Sequence, residues 1–367
     1  MSELKKTVLY DLHEELGARM SPFGGWLMPL QYSGIMQEHV NCRSGAALFD
    51  TDHMGEFILR GEYALADLEL LVSCDVDSME QGLCRYGLLC NPEGGVIDDL
   101  LVYRLSTCEF MLVVNAGTQS RDFEWLQQNI SDSTQLEDIS SRRAKIDLQG
   151  PQAPGIIRKL LEEPIEDLRF YHFMRNRYQG CEVLISRTGY TGEIGFEIYL
   201  KPELAEIFWR DCMQDGALPA GLGARDTLRL EMGMPLYGHE LSESRNAGES
   251  GFERAISANK EFIGSAVVTD QKQRESKLCG IRIDGRRTAR HGDTIQELGG
   301  ERVGTITSGS FAPSLGYAVA LGYVAADYAV PGQGLKLISS RCELSGEVVA
   351  TPFYKDATGR RKLADFL

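Results

Sequence analysis

Two adjacent carboxylates, Asp98 and Asp99, stand in the stretch Gly94-Gly95-Val96-Ile97-Asp98-Asp99-Leu100-Leu101-Val102-Tyr103, which otherwise reads as a buried strand. Strict alternation puts Ile97, Asp99, Leu101 and Tyr103 on one face and Val96, Asp98, Leu100 and Val102 on the other. Neither face is otherwise polar. An ionised carboxylate is rarely buried without a donor, a cavity or a ligand, so at least one of the pair is a candidate for chemistry. The alternative is that Asn91-Pro92-Glu93-Gly94-Gly95 is a hairpin turn whose amides hold the aspartates at the strand's wet end.

Three more polar groups stand where a ligand could use them. Glu197 lies in the strand Gly195 to Leu200, opposite the apolar set Phe196, Ile198 and Leu200. It shares its face with Gly195, and a strand glycine admits close approach. Arg225 follows the turn Gly221-Leu222-Gly223 in the first turn of a helix. It and Arg229, four apart on one face, could also pair with Glu231 or Asp226. The turn is not a dinucleotide loop, because Asp226 occupies the position of its third glycine. Asn115, at a strand's end, suits a ligand contact or a turn cap equally. His53, in the break Asp50-Thr51-Asp52-His53, has neither metal-ligand spacing nor a nucleophile nearby and reads as structural.

Other chemistries lack their motifs. The sequence has no phosphate loop and no Gly-x-Ser-x-Gly elbow, and His239-Glu240 has no second histidine at metal-helix spacing. A net charge of −15 argues against a nucleic-acid partner. The clusters Arg142-Arg143-Ala144-Lys145, Arg286-Arg287 with Arg290, and Arg360-Arg361-Lys362 read as solvated surface. Nine cysteines without a Cys-x-x-Cys pair indicate a reducing compartment. No run approaches the ~18 apolar residues of a membrane helix, so no membrane association is expected. No signal-peptide core follows Met1, and the expected location is cytoplasmic.

The elements that must position these groups alternate between strands and helices up to about residue 276. Helices are expected at Ile35 to Ala46, Tyr63 to Cys74, after Asn115, at Pro202 to Met213 and after Gly223. Strands are expected at Glu56 to Arg60, Glu109 to Asn115, Ala144 to Leu148, Cys181 to Ser186 and Gly195 to Leu200. From Lys277 short strands at 278–283, 301–307, 317–324, 335–340 and 345–354 predict a small β-barrel.

Several of these segments, taken together, resemble the T-protein family of the glycine cleavage system. They are Arg187-Thr188-Gly189-Tyr190-Thr191-Gly192-Glu193 with Gly195-Phe196-Glu197, Gly221 to Glu231, and Met234-Pro235-Leu236-Tyr237-Gly238. The resemblance extends to Gly25-Trp26, Met28-Pro29, His53-Met54-Gly55, the Asp98-Asp99 strand and Thr305-Ile306-Thr307-Ser308-Gly309, and so spans essentially the whole chain. It implies an α+β fold of three domains in a cloverleaf, two of them interleaved and the third a C-terminal β-barrel, around a central folate-binding hole. The expected divisions are 1–52 with 142–238, 53–141 with 239–276, and 277–367. The implied activity is tetrahydrofolate-dependent aminomethyl transfer from the lipoyl arm of H-protein, with release of ammonia. Asp99 would be the catalytic carboxylate and Glu197 the acceptor of two pterin N–H groups. Tyr190 and Arg225 match ligand-contacting positions, with Tyr86, Met54 and Asn115 as further pocket residues.

The sequence also departs from the family. Gly82-Leu83-Cys84 lacks a lysine associated with carrier docking, for which Arg85 could substitute. Asp52 adds a charge beside His53, while Asn246-Ala247 and Arg254 replace a usual Thr-Pro and Trp. These changes bear on the carbon donor, and they leave two alternatives: a folate-dependent demethylase of a small methylated substrate without a lipoyl carrier, and a regulatory folate binder, against which an intact Asp99 argues.

Overall fold

The apolar runs flanking Gly94-Gly95 pair as an antiparallel hairpin, Cys84–Cys90 with Val96–Arg104, in the computed structural model, which describes residues 4–339 and 342–367. The turn between them is closed by Asn91, whose carbonyl accepts from Gly94 N–H and whose Oδ1 accepts from Gly95 N–H. Gly94 supplies the positive φ of 81° that the turn requires. This hairpin opens a five-stranded sheet that continues through Glu109–Val114, Gly55–Arg60 and Gln135–Asp138. Helices Ala64–Leu71 and Gln119–Asn129 cover one face, burying Leu68 and Leu126 against Phe57, Leu100, Val102 and Leu112.

A six-stranded sheet runs in the order Phe173–Tyr178, Cys181–Ser186, Gly195–Leu200, Ala144–Gln149, Ala47–Asp50, Leu218–Pro219. Helices Ala153–Leu160 and Pro202–Gln214 pack on it through Ile156, Ile157, Phe208 and Trp209. One of its strands therefore precedes the five-stranded sheet in the chain and the rest follow, so the two α+β units are interleaved. Their uncovered faces meet: Ile58, Tyr103, Met111 and Val113 of one sheet pack with Phe173, Leu184 and Tyr199 of the other. The third unit is a closed six-stranded barrel formed by strands between Ser276 and Val349, filled by Ile281, Ile295, Ile306, Leu335 and Leu337.

The structure corrects several details. Ile97 does not share a face with Asp99. The register shifts between Leu89, opposite Asp98, and Cys90, opposite Val96, which leaves Ile97 unpaired in a bulge. Ile97 consequently packs with Leu100 and Val102 beneath the helices. The helix expected over Tyr63 to Cys74 is confined to Ala64–Leu71. The barrel gains a strand, Thr294–Gln296, and its last strand ends at Val349.

Candidate functional site

The aspartates are not at a wet strand end. Asp98 has no exposed surface. Asn115, at the end of the neighbouring strand, bridges the pair: its backbone N–H donates to Asp98 Oδ2 and its Nδ2 to Asp98 Oδ1 and Asp99 Oδ1, all at 2.9 Å. The Tyr86 hydroxyl, on the paired strand, donates to Asp99 Oδ2 at 3.0 Å. Both Asp99 oxygens are thus fixed by neutral donors. Burial, and after it the Asp98 charge, push the Asp99 pKa up to about 7, so the group titrates near neutrality.

Glu197 lies on the six-stranded sheet, 4% exposed. Its Oε2 accepts from the hydroxyls of Tyr199 and Tyr103 at 3.1 and 3.2 Å, and Lys145 Nζ stands 3.4 Å from Oε1. Lys145 also donates to Asp147 Oδ1 at 2.8 Å, and the other Asp147 oxygen accepts from Arg225 at 2.8 Å. Thr51 completes the ring by donating to Asp147 at 2.9 Å. Asp147 is buried, yet the neighbouring Lys145 and Arg225 charges hold its pKa below the ordinary carboxylate value. Arg225 therefore pairs across to the sheet rather than along its own helix, whereas Arg229 does pair locally with Asp226 and additionally with Glu240.

Tyr190 connects the two groups of carboxylates. The Arg225 guanidinium lies 4.9 Å from its ring centroid, its hydroxyl donates to the Pro235 carbonyl, and it stands within the field of Asp99. Met54 packs into the cluster that contains Tyr103 and Tyr199. Tyr86 meets the ring of Phe252 edge-on at 6.3 Å. Phe252 is one wall of a cavity of about 840 Å³ where the three units come together, lined also by Tyr171, Gly189, Met232, Leu321 and Val349. Asp99, Tyr86 and Asn115 thus form one bonded group, and Glu197, Arg225 and Tyr190 a second held together through Lys145 and Asp147. Tyr103, on the strand of Asp99, joins the two by donating to Glu197, with Met54 beside it, and none of these side chains lines that cavity.

Two expectations about the neighbourhood change. The space beside Gly195 and Gly189 is filled by the Gln149 side chain, since a Cβ at either glycine would fall 2.6 or 2.1 Å from its nearest atom. Gln149 Nε2 donates to the Thr188 and Phe196 carbonyls, and Thr191 donates to its Oε1, so the glycines serve the turn that presents Tyr190. Lys145 is not surface: it is 1% exposed. The signal for it was the same-face pair Lys145 and Asp147 alternating with Ala144, Ile146 and Leu148 in one strand. Tyr103 on Glu197 and the acid Asp122 were also missed, because their partners lie far away in sequence, whereas Tyr199 shares the strand face of Glu197 two residues on. His53 is buried edge-on to Phe23 at 5.6 Å, and burial lowers its pKa to about 4, so it is neutral. Arg85 donates to Ser78 and to the Asp75 carbonyl, which ties it to its own unit. Among the described residues no group of three or more His, Cys, Asp and Glu side chains is placed to hold a metal ion, and no helix is long and apolar enough to cross a membrane.

The constellation can orient a polar heterocycle against a carboxylate and place a second, half-ionised carboxylate beside a reacting centre. Comparison with known proteins narrows this. Family models for the GCVT N-terminal domain and the glycine cleavage T-protein C-terminal barrel domain match residues 9–260 and 276–355. The chain is 41% identical over 357 residues to an aminomethyltransferase of Halothermothrix orenii, covering 95% of this chain and 100% of the relative. It is 42% identical over 363 residues to an aminomethyltransferase of Desulfitobacterium hafniense, covering 97% and 99%. The crystal structure of glycine cleavage system aminomethyltransferase T from Bartonella henselae superimposes with a TM-score of 0.91 at 32% identity, over 97% of this chain and 99% of that one.

Proposed function

The chain belongs to the glycine cleavage T-protein family and is an aminomethyltransferase, and we propose that it transfers the one-carbon unit of an aminomethyl-lipoyl carrier, H-protein, to tetrahydrofolate with release of ammonia. The observation that carries this reading is the pairing of two differently prepared carboxylates in one constellation. Glu197 is held by two hydroxyls on one oxygen and faced by an ammonium at the other, an arrangement that keeps it an oriented acceptor. A pterin offers two adjacent N–H donors that one carboxylate can take side by side. The residues present therefore fit tetrahydrofolate as the substrate, with Tyr190, Arg225, Tyr86, Met54 and Asn115 as the surrounding wall.

Expelling ammonia requires a protonated nitrogen and leaves an electron-poor methylene carbon. Asp99 is assigned to that centre: fixed by Tyr86 and Asn115, it needs no reorganisation to stabilise positive charge as it develops. Holding the folate nitrogens beside the same carbon supplies proximity. The test is direct. Purified protein, tetrahydrofolate and aminomethyl-loaded lipoyl H-protein are mixed, and methylene-tetrahydrofolate is followed through a coupled dehydrogenase. Turnover is expected. Tetrahydrofolate binding without turnover on the loaded carrier would overturn the assignment in favour of a demethylase working on a small methylated substrate.

A further inference from the structure

Behind the reacting pair lies a third acid that the chemistry above does not use. Asp122, in helix Gln119–Asn129, has no exposed surface and faces Asp98 and Thr118. Among the described residues neither of its carboxyl oxygens meets a hydrogen-bond donor. Thr118 stands beside both acids but has a single hydroxyl hydrogen, which it directs at the Asn115 carbonyl at 3.0 Å. Two carboxylates in contact in a dry site are stable only with a proton between them.

The hydrogen-bond count around Asn115 shows what that proton decides. Asn115 Nδ2 has two hydrogens, and it directs one at Asp98 Oδ1 and the other at Asp99, where Oδ1 at 2.9 Å and the backbone carbonyl at 3.1 Å share it. This orientation holds only while Asp98 is an acceptor on that side. If Asp98 carried the proton toward Asn115, the amide would turn its oxygen to meet it, and Asp99 would lose one of its two side-chain donors. We propose that Asp122 is a positioning residue for the transfer reaction: it carries the proton that bridges it to Asp98, keeps Asp98 the acceptor for Asn115, and so aims Asn115 Nδ2 at Asp99. Burial and the neighbouring Asp98 charge both raise the Asp122 pKa, in agreement with the proton residing there.

Among the described residues none of the other titratable groups in reach donates to Asp122, the Arg121 Nε being itself unpartnered. Arg121, on the same helix, donates to Glu243, Tyr237 and the Ile97 carbonyl. Tyr237 donates to the Val96 carbonyl. Tyr86 donates to Asp99, and Tyr190 to Pro235.

The inference rests on Asp99 being the reacting carboxylate, and its test separates the two. Asp122→Leu removes the donor. Asp98 then either keeps its full charge beside Asp99, which raises the Asp99 pKa, or takes the proton and turns Asn115, in which case the loss of the Asp98 charge outweighs the loss of the donor and lowers it. A kcat about tenfold or more lower is expected, with the acidic limb of its pH profile displaced from that of the wild type and the KM for tetrahydrofolate within about threefold. Asp122→Asn restores an N–H toward Asp98 and should recover most of kcat and the original limb. A role in packing alone would lower the melting temperature of Asp122→Leu and leave the limb of the folded enzyme in place, which would overturn the proposal. So would Asp122→Asn behaving like Asp122→Leu. Should Asp122→Leu not fold, infrared difference spectra of wild type against Asp122→Asn decide without any turnover. The carbonyl stretch of a buried protonated carboxyl at neutral pH must be present in the first and lost in the second. Its absence from the wild type overturns the proposal and leaves the function of Asp99 untouched.

Discussion

Asp99 is held by a phenol and an amide, with no cation against it. A salt bridge would have driven its pKa down and tied up its charge; instead the pKa sits near 7, where the group offers charge to a developing cation without being neutralised beforehand. Asp99→Asn keeps the shape and one acceptor oxygen. It is expected to reduce kcat about 10²-fold or more while changing tetrahydrofolate affinity less than about threefold, measured by single turnover and by direct binding. Affinity lost in parallel with kcat would instead make Asp99 a binding residue. The sign of the pH dependence follows from the raised value. The working form is the anion, so kcat should fall as pH drops through about 7 and level off above it. Rates that rise toward acid pH would contradict the role.

At the level of elements, the reacting strand is set by its turn. Gly95 packs backbone to backbone against the segment before Asn246: a Cβ there would stand 1.8 Å from the Glu243 carbonyl oxygen. Val96 N–H donates to Ser242 O, and Ala247 N–H to Gly94 O, so the turn is stitched to that segment on both sides. Gly95→Ala must push the two apart. A loss of about 2–4 kcal/mol in denaturant unfolding is expected, together with lower kcat, since the strand carrying Asp99 starts one residue later. A stability within about 0.5 kcal/mol of wild type would refute the close approach. This hairpin was legible in sequence, because Asn-Pro-Glu-Gly-Gly between two apolar runs is a local signal. The Ile97 bulge was not. Register depends on the partner strand, and one extra residue exchanges the faces of everything before it. For the same reason Asp98 and Asp99 could be singled out as costly, whereas Asn115 bridging both, and Asp122 beneath, became visible only once two further elements were folded against the strand. Lys145 shows the other limit: a basic cluster reads as solvated until a strand's alternation sends one member inward, here to Asp147 and Glu197.

For the whole molecule, Arg229 ties its helix to the segment after it and to the barrel. It is 1% exposed and reaches Asp226 on its own helix, the Met234 carbonyl, Glu240 in the segment that leads away from the first unit, and Ser308 in the barrel. Glu240 is itself fully buried, and its Oε2 takes both Arg229 and the Leu236 N–H. Substituting Arg229 by Met would fill much of the space but leave the Glu240 carboxylate uncompensated in a dry interior, a cost of about 3–5 kcal/mol. If the charge imbalance is the cause, the double variant Arg229→Met with Glu240→Gln should recover a large part of that loss, because a neutral amide needs no counter-ion there. The prediction is thus a strongly non-additive cycle in denaturant unfolding. Additive losses would mean that the guanidinium acts through its separate bonds to the barrel and the Met234 turn, and that the ion pair between Arg229 and Glu240 contributes nothing of its own. Because Arg229 lies four residues beyond Arg225 on the helix that presents the latter to Asp147, the single variant should also weaken tetrahydrofolate binding in the fraction that remains folded.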